Sequence, residues 1–200
     1  MTEREQALRR WLERASCWRF AATLFRTPTA DGLRELRVLL PMLPDAARDE
    51  AGPLPDIPLD TWEREFHRVL GPAGLPSCES SFDRATLAGR GPLLAAIGGF
   101  YQAFGYEPDA RAREVPDHIA SELDFLAYLA FKGAFAVDTG LRQETEVTTE
   151  AYEAFLRDHL GFWIAPFLES LLGTDAEPYR AAARWLQGTF ARLHQTEEGV

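Results

Sequence analysis

Apolar residues recur at three- and four-residue steps along almost the whole chain, and no run of alternating β-branched residues competes with that period. The pattern predicts an all-α fold. A first helix over about residues 3–25 places Leu8, Trp11, Leu12, Ala15, Trp18, Ala22 and Phe25 on one side, and Pro28 closes it. A second runs through Leu33, Leu36, Val38, Leu39 and Leu40 to Pro41 and Pro44. Residues 41–60 carry five prolines among acidic and small residues, a composition that predicts an exposed connection.

Asp60-Thr-Trp-Glu63 has the spacing of a capping box for a short helix that Gly71-Pro-Ala-Gly74 ends. In the following loop, Ser80 is placed to cap a further short helix through Asp83. Gly91-Pro92 opens a helix that closes at Gly105, and residues 106–113 form a polar link. A long helix is then predicted over about 116–137, with Ile119, Leu123, Leu126, Ala127 and Ala130 as its buried stripe. The polar stretch from Asp138 to Thr149 reads as a loop or hinge.

The strongest helical signal covers 150–172, with Pro166 inside it as a predicted kink. Thr174-Asp-Ala-Glu177 has capping-box spacing for a last helix to about 194, and residues 195–200 are expected to fray. No internal repeat is visible, and one domain over residues 1–200 is expected.

One stretch departs from plain amphipathicity. In Glu114-Val-Pro-Asp-His118-Ile-Ala-Ser-Glu122, three carboxylates and a histidine crowd a helix start. Pro116 suits a first helical turn and acidic groups suit the positive end of a helix. The spacing of Glu114, Asp117 or His118, and Glu122 at threes and fours puts them on one face, which capping alone does not require.

Composition narrows the classes of function. A content of 46% hydrophobic residues is ample for a core, and a net charge of −10 repels nucleic acid and anionic lipid while attracting cationic partners. Cys17 and Cys78 form no CxxC pair, so a reduced compartment is expected. Arg9-Arg10-Trp11-Leu12 is not followed by the uncharged apolar run of roughly 7–15 residues that an export signal needs, and no stretch reaches membrane-spanning length. A cytoplasmic location without membrane insertion is expected.

The chain lacks a P-loop, a dinucleotide fingerprint and a Gly-x-Ser-x-Gly elbow. No Glu-x-x-His pair precedes His67, His118, His159 or His194, so di-iron ligation is not indicated and no cofactor or metal is expected. His159, on an apolar stripe, reads as a hydrogen-bonded core residue; His67 and His194 read as surface residues. For His118 three readings stand together: a lock between the helix start and a neighbouring loop, a ligand contact, or a metal-binding or acid/base group in a helical-bundle enzyme that uses its neighbouring carboxylates.

The same stretch, continued through Leu126, resembles the E-x-P-D-H-x-x-x-E-L-x-F-L signature of the TorD/DmsD/NarJ family of molybdoenzyme maturation chaperones. Three weaker matches are collinear with it: Trp18-Arg-Phe-Ala-Ala-Thr-Leu-Phe25 with Pro28, Pro76-Ser-Cys-Glu79-Ser80-Ser-Phe82, and Phe155 to Trp163 with Phe167. Together they span about residues 15–172. Cys78 stands where the family has an aromatic, and Phe82 replaces a tyrosine.

The resemblance implies a TorD-like all-α bundle without catalytic turnover, and in some members a domain-swapped dimer, for which the Asp138–Thr149 break suits a hinge. Monomer and homodimer both stay open. It implies a partner, the apo form of a molybdoenzyme catalytic subunit, held through an N-terminal leader of twin-arginine type until cofactor is inserted. Such a leader presents guanidinium groups and then an apolar helix, so carboxylates beside an apolar groove are the natural receptor. Glu79, Glu114, Asp117 and Glu122 are candidates for the first and Phe82, Tyr101 and Phe104 for the second. Asp117, His118, Glu79 and Ser80 carry over from the family motifs.

Overall fold

Nine α-helices account for most of the residues described in the computed structural model, which are 1–82, 89–108 and 114–195. They are α1 (Glu3–Phe25), α2 (Ala30–Leu39), α3 (Asp45–Ala51), α4 (Leu59–Val69), α5 (Gly91–Phe104), α6 (Ile119–Thr139), α7 (Arg142–Phe155), α8 (Gly161–Leu172) and α9 (Glu177–Gln195). The all-α expectation holds.

Helix α1 starts where Thr2 and Glu5 close a reciprocal capping box, with the Thr2 amide donating to Glu5 at 2.8 Å. Its C-terminal half is buried on nearly all sides, because it packs most extensively on α6 and also meets α2 and α9. Gly133 of α6 permits that approach: a Cβ there would stand 2.7 Å from Trp11 ring carbons. Leu12 departs from the predicted stripe and is exposed.

Phe125 of α6 lies at the centre of an aromatic cluster, with ring centroids 4.7 Å from Tyr101, 4.8 Å from Phe155 and 5.2 Å from Tyr106. The indole N–H of Trp18 donates to the Tyr152 hydroxyl at 2.8 Å, tying α1 to α7. That of Trp185 donates to the Ala47 carbonyl at 2.8 Å, tying α9 to α3.

Several sequence expectations need correction. The proline-rich 41–60 segment is not an exposed connection. It folds as α3 between two short 3₁₀ turns and buries Leu43, Ala47, Ala51 and Leu54. Its prolines start helices: Pro44 and Pro58 are the N-cap residues of α3 and α4. Asp60 therefore lies inside the first turn of α4, and the Asp60–Glu63 box does not form.

The break after α6 shrinks to Gly140 and Leu141, with Gly140 at φ 73°. The polar residues that follow already belong to α7, whose inner face buries Thr148 and Tyr152. The helix expected over 150–172 is divided between α7 and α8 by a π turn, Leu156–Leu160, closed by the Gly161 amide on the Leu156 carbonyl. α9 opens at Glu177 itself, so Glu177 is not the third residue of a box on Thr174, whose hydroxyl donates to the Leu171 carbonyl at 2.7 Å and accepts from the Ala176 amide at 3.4 Å. The Ser80–Asp83 cap and the fraying expected over 196–200 fall outside the described residues, while Gln195, the first residue expected to fray, still belongs to α9.

Candidate functional site

Local sequence places the acidic stretch just before α6 instead of inside it. Pro116 and Asp117 form a turn, and His118 is the N-cap of α6, its Nδ1 accepting from the Ala120 amide at 3.2 Å. Pro116 thus precedes the helix. The predicted single helical face is not formed, because Glu114 and Asp117 lie outside the helix that carries Glu122.

Each carboxylate instead reaches a different part of the fold. Glu114 Oε1 accepts from the Thr27 amide at 3.0 Å and the Thr27 hydroxyl at 3.1 Å, fastening the turn to the end of α1. Burial opposes its ionisation, yet these bonds hold its pKa below the ordinary value.

The Pro76–Phe82 loop runs alongside this turn. Cys78 bridges His118, the Glu79 amide donates to the Asp117 carbonyl at 2.8 Å, and the Ile119 amide donates to the Ser77 carbonyl at 2.9 Å. The Asp117 carboxylate, fully buried, accepts from the Ser80 amide at 3.3 Å and from Arg90 at 2.7 and 2.9 Å. Burial pushes its pKa up, but the Ser80 and Arg90 bonds outweigh it and bring the group below its usual value.

Beneath the loop lies a second layer. Glu79, 1% exposed, has both oxygens 3.2 Å from Nδ1 of His159 in the π turn. Glu122 accepts from the Trp163 indole N–H at 3.0 Å through Oε2, while its Oε1 meets no donor. Burial first, then the adjacent Glu79 carboxylate, drive the Glu122 pKa well up, which favours its protonated form. Burial also lowers His118 to about 4, against the opposing pull of Glu114 and Asp117. His118 is therefore neutral, with its free lone pair used as a cap.

The structure thus gathers Glu79, Ser80, Glu114, Asp117, His118 and Glu122 into one hub, in which each carboxylate is bound to a partner from another segment in place of a row of open carboxylates. Phe82 packs on Trp163 at 5.3 Å, half-buried. Tyr101 does not line a groove: it is buried and its hydroxyl donates to the Pro116 carbonyl at 2.9 Å. Phe104 is half-buried, its carbonyl bound by Tyr128 and Lys132.

Sequence reasoning missed Arg90, Thr27 and Trp163 as partners. Only Trp163 carried a signal, since it belongs to the apolar stripe around His159; Arg90 and Thr27 come from distant segments. His159 is the buried, hydrogen-bonded histidine its position suggested. Among the described residues, no group of three or more His, Cys, Asp and Glu could hold a metal ion, and no helix is long and apolar enough to cross a membrane.

Residues 28–169 match the family described as nitrate reductase delta subunit. Among curated proteins, the chain is 35% identical over 88 residues to the selenate reductase assembly chaperone protein of Thauera selenatis, covering 44% of this chain and 45% of that relative. It is 29% identical over 164 residues to the chlorate reductase assembly chaperone protein of Ideonella dechloratans, covering 80% of this chain and 78% of the relative. The first match therefore spans less than half of its relative's length. No solved structure matches the chain.

Proposed function

Because the chain belongs to the nitrate reductase delta subunit family, we propose that it is an assembly chaperone for a molybdenum-cofactor oxidoreductase, acting in the cytoplasm. It holds the apo catalytic subunit by an N-terminal leader of twin-arginine type until cofactor is inserted, and then releases it for export or membrane assembly. The observation that carries this reading is that both curated relatives are named as reductase assembly chaperones.

Physical chemistry supports the same reading. A leader with paired arginines and an apolar helix suits a partner with a charge of −10. The hub keeps most of its carboxylates for internal bonds, so in this reading Glu79, Asp117, His118 and Glu122 hold the α6 start and the Pro76–Phe82 loop in register. Ser80, Phe82 and Glu114, each part-exposed, form the rim that meets the peptide.

The experiment is co-expression with the catalytic subunit of the reductase encoded beside this chain, with and without its leader. Co-purification of the cofactor-free subunit that depends on the leader is expected. Association that survives leader removal, or none at all, refutes the leader as the handle.

A further inference from the structure

Helix α5 is attached unevenly. Its second half is seated on aromatic rings, with centroids 5.3 Å apart for Phe100 and Phe155 and 4.7 Å apart for Tyr101 and Phe125. The Tyr101 hydroxyl donates to the Pro116 carbonyl, and Tyr128 and Lys132 donate to the Phe104 carbonyl at 3.0 and 3.2 Å, fastening the C-terminal end. The first half has far less to hold it. Gly91, Pro92, Ala95 and Ala96 are exposed, Leu93 and Leu94 are half-buried, and Ile97 alone is fully buried. Among the described residues, α5 packs extensively on no other helix, unlike α1 on α6.

Gly98 and Gly99 divide the two halves. A Cβ at either would meet no atom within 4 Å, and neither has the positive φ of Gly89, Gly105 and Gly140. Neither close packing nor backbone conformation therefore requires glycine here. What the pair does is weaken the helix, because glycine loses more conformational freedom on ordering than any other residue, and a run of two is a natural place for a helix to break.

The free end of the first half is held by one side chain. Arg90, the N-cap residue of α5, sets its guanidinium on both oxygens of Asp117 at 2.7 and 2.9 Å, while its carbonyl accepts from the Leu94 amide at 3.0 Å. The Arg90 side chain is 50% exposed and that of Asp117 not at all. The same carboxylate accepts from the Ser80 amide. One buried group thus ties the first turn of α5 to the Pro76–Phe82 loop. Without Arg90 the carboxylate is left buried without its counter-charge, a cost that entering water or a proton relieves, and either one loosens its bond to Ser80.

We propose that residues 90–97 form a strap that releases as a unit while the rest of the bundle stays folded, with Arg90 on Asp117 as its latch, Gly98 and Gly99 as its limit, and the Ser80 end of the Pro76–Phe82 loop released with it. Helical stretches shorter than about 12–15 residues do not keep their hydrogen bonds alone in water, so release exposes the Leu94–Ile97 amides. The strap is a conformational control on the loop that carries Ser80 and Phe82, and it stands independently of what that loop meets.

The test is amide hydrogen exchange of the full chain, followed by NMR across low urea concentrations. Local release depends little on urea, whereas global unfolding is promoted by it. The Leu94–Ile97 and Ser80 amides should exchange through a shared step of small urea dependence, about tenfold or more faster than the Leu123–Ala127 amides of α6, which wait for global unfolding. Arg90→Gln should speed the strap and Ser80 amides together by about fivefold or more, as the loss of a bond between charged groups. Gly98→Ala with Gly99→Ala should slow the strap amides about tenfold, and this pair needs no repacking and serves if Arg90→Gln impairs folding.

Strap amides that share the urea slope of α6 open only with the whole chain, which overturns the strap. A Ser80 rate untouched by Arg90→Gln overturns its link to the loop. Strap rates unchanged by the alanine pair overturn Gly98 and Gly99 as its limit.

Discussion

His118→Asn should remove a large part of the chain's sensitivity to mild acid. His118 is 8% exposed and uses Nδ1 as the cap of α6, so only its neutral form fits, and burial lowers its pKa from 6.5 to about 4. For a group depressed in the folded state, the stabilisation is present above the unfolded pKa and is lost as pH falls toward the folded one. Applied between about pH 7 and about pH 5, linkage over that interval gives a loss of about 2 kcal/mol from this residue.

Asparagine keeps a capping side chain without a titrating group, so the variant should retain the cap to within about 1 kcal/mol. The assay is urea denaturation of wild type and variant at both pH values, with the difference between the two losses as the readout. Glu114 and Asp117, whose folded pKa values are also lowered, lose their contributions at more acidic pH and are common to both proteins. A variant that loses as much stability as wild type over this interval refutes the claim that His118 is held neutral.

The other predictions concern the hub and the α1–α6 contact. Arg90→Gln should destabilise by about 1–3 kcal/mol near neutral pH, a range discounted because Arg90 is half-exposed, and the deficit should vanish as pH falls below the ordinary Asp range, since the lowered Asp117 pKa is what Arg90 sustains. Urea midpoints across pH check it, and a pH-independent deficit counts against it. Glu122→Gln should gain on wild type as pH rises above the ordinary Glu value, because a raised folded pKa makes ionisation a growing cost there; thermal melts at rising pH that run parallel contradict this. Gly133→Ala should cost about 1–3 kcal/mol, since the added methyl meets the Trp11 ring, and an unchanged melting temperature removes that contact from the account.

Much of the helical skeleton was legible because its signals are local. Apolar periodicity located α1 and α6, and Gly105, at positive φ, ends its helix where it was expected to; Gly140, also at positive φ, ends α6 from within the stretch read as a polar break. Proline misled in the 41–60 segment, where it starts helices, and polar residues misled at 142–149, where a helix keeps only a narrow inner face. Clustering of the acidic stretch with the Pro76–Phe82 loop followed from the family motifs. What the carboxylates do there did not, because Asp117 depends on Arg90, Glu114 on Thr27 and Glu122 on Trp163, partners that no local spacing discloses.

The hub also bears on the order in which the chain folds. Its closing bonds join residues far apart along the chain: Glu79 and His159 are separated by 80 positions, Glu122 and Trp163 by 41. Bringing such segments together carries a loop-closure entropy that local helix formation does not, so the α1, α6 and α7 helices can form before the loop is clasped. A growing chain emerging from the ribosome reaches Trp163 only after most of its length has been made. Until then the Pro76–Phe82 loop can bond to the turn at Asp117 and Ile119, but the clasp beneath it, Glu79 on His159, waits for the last third of the chain.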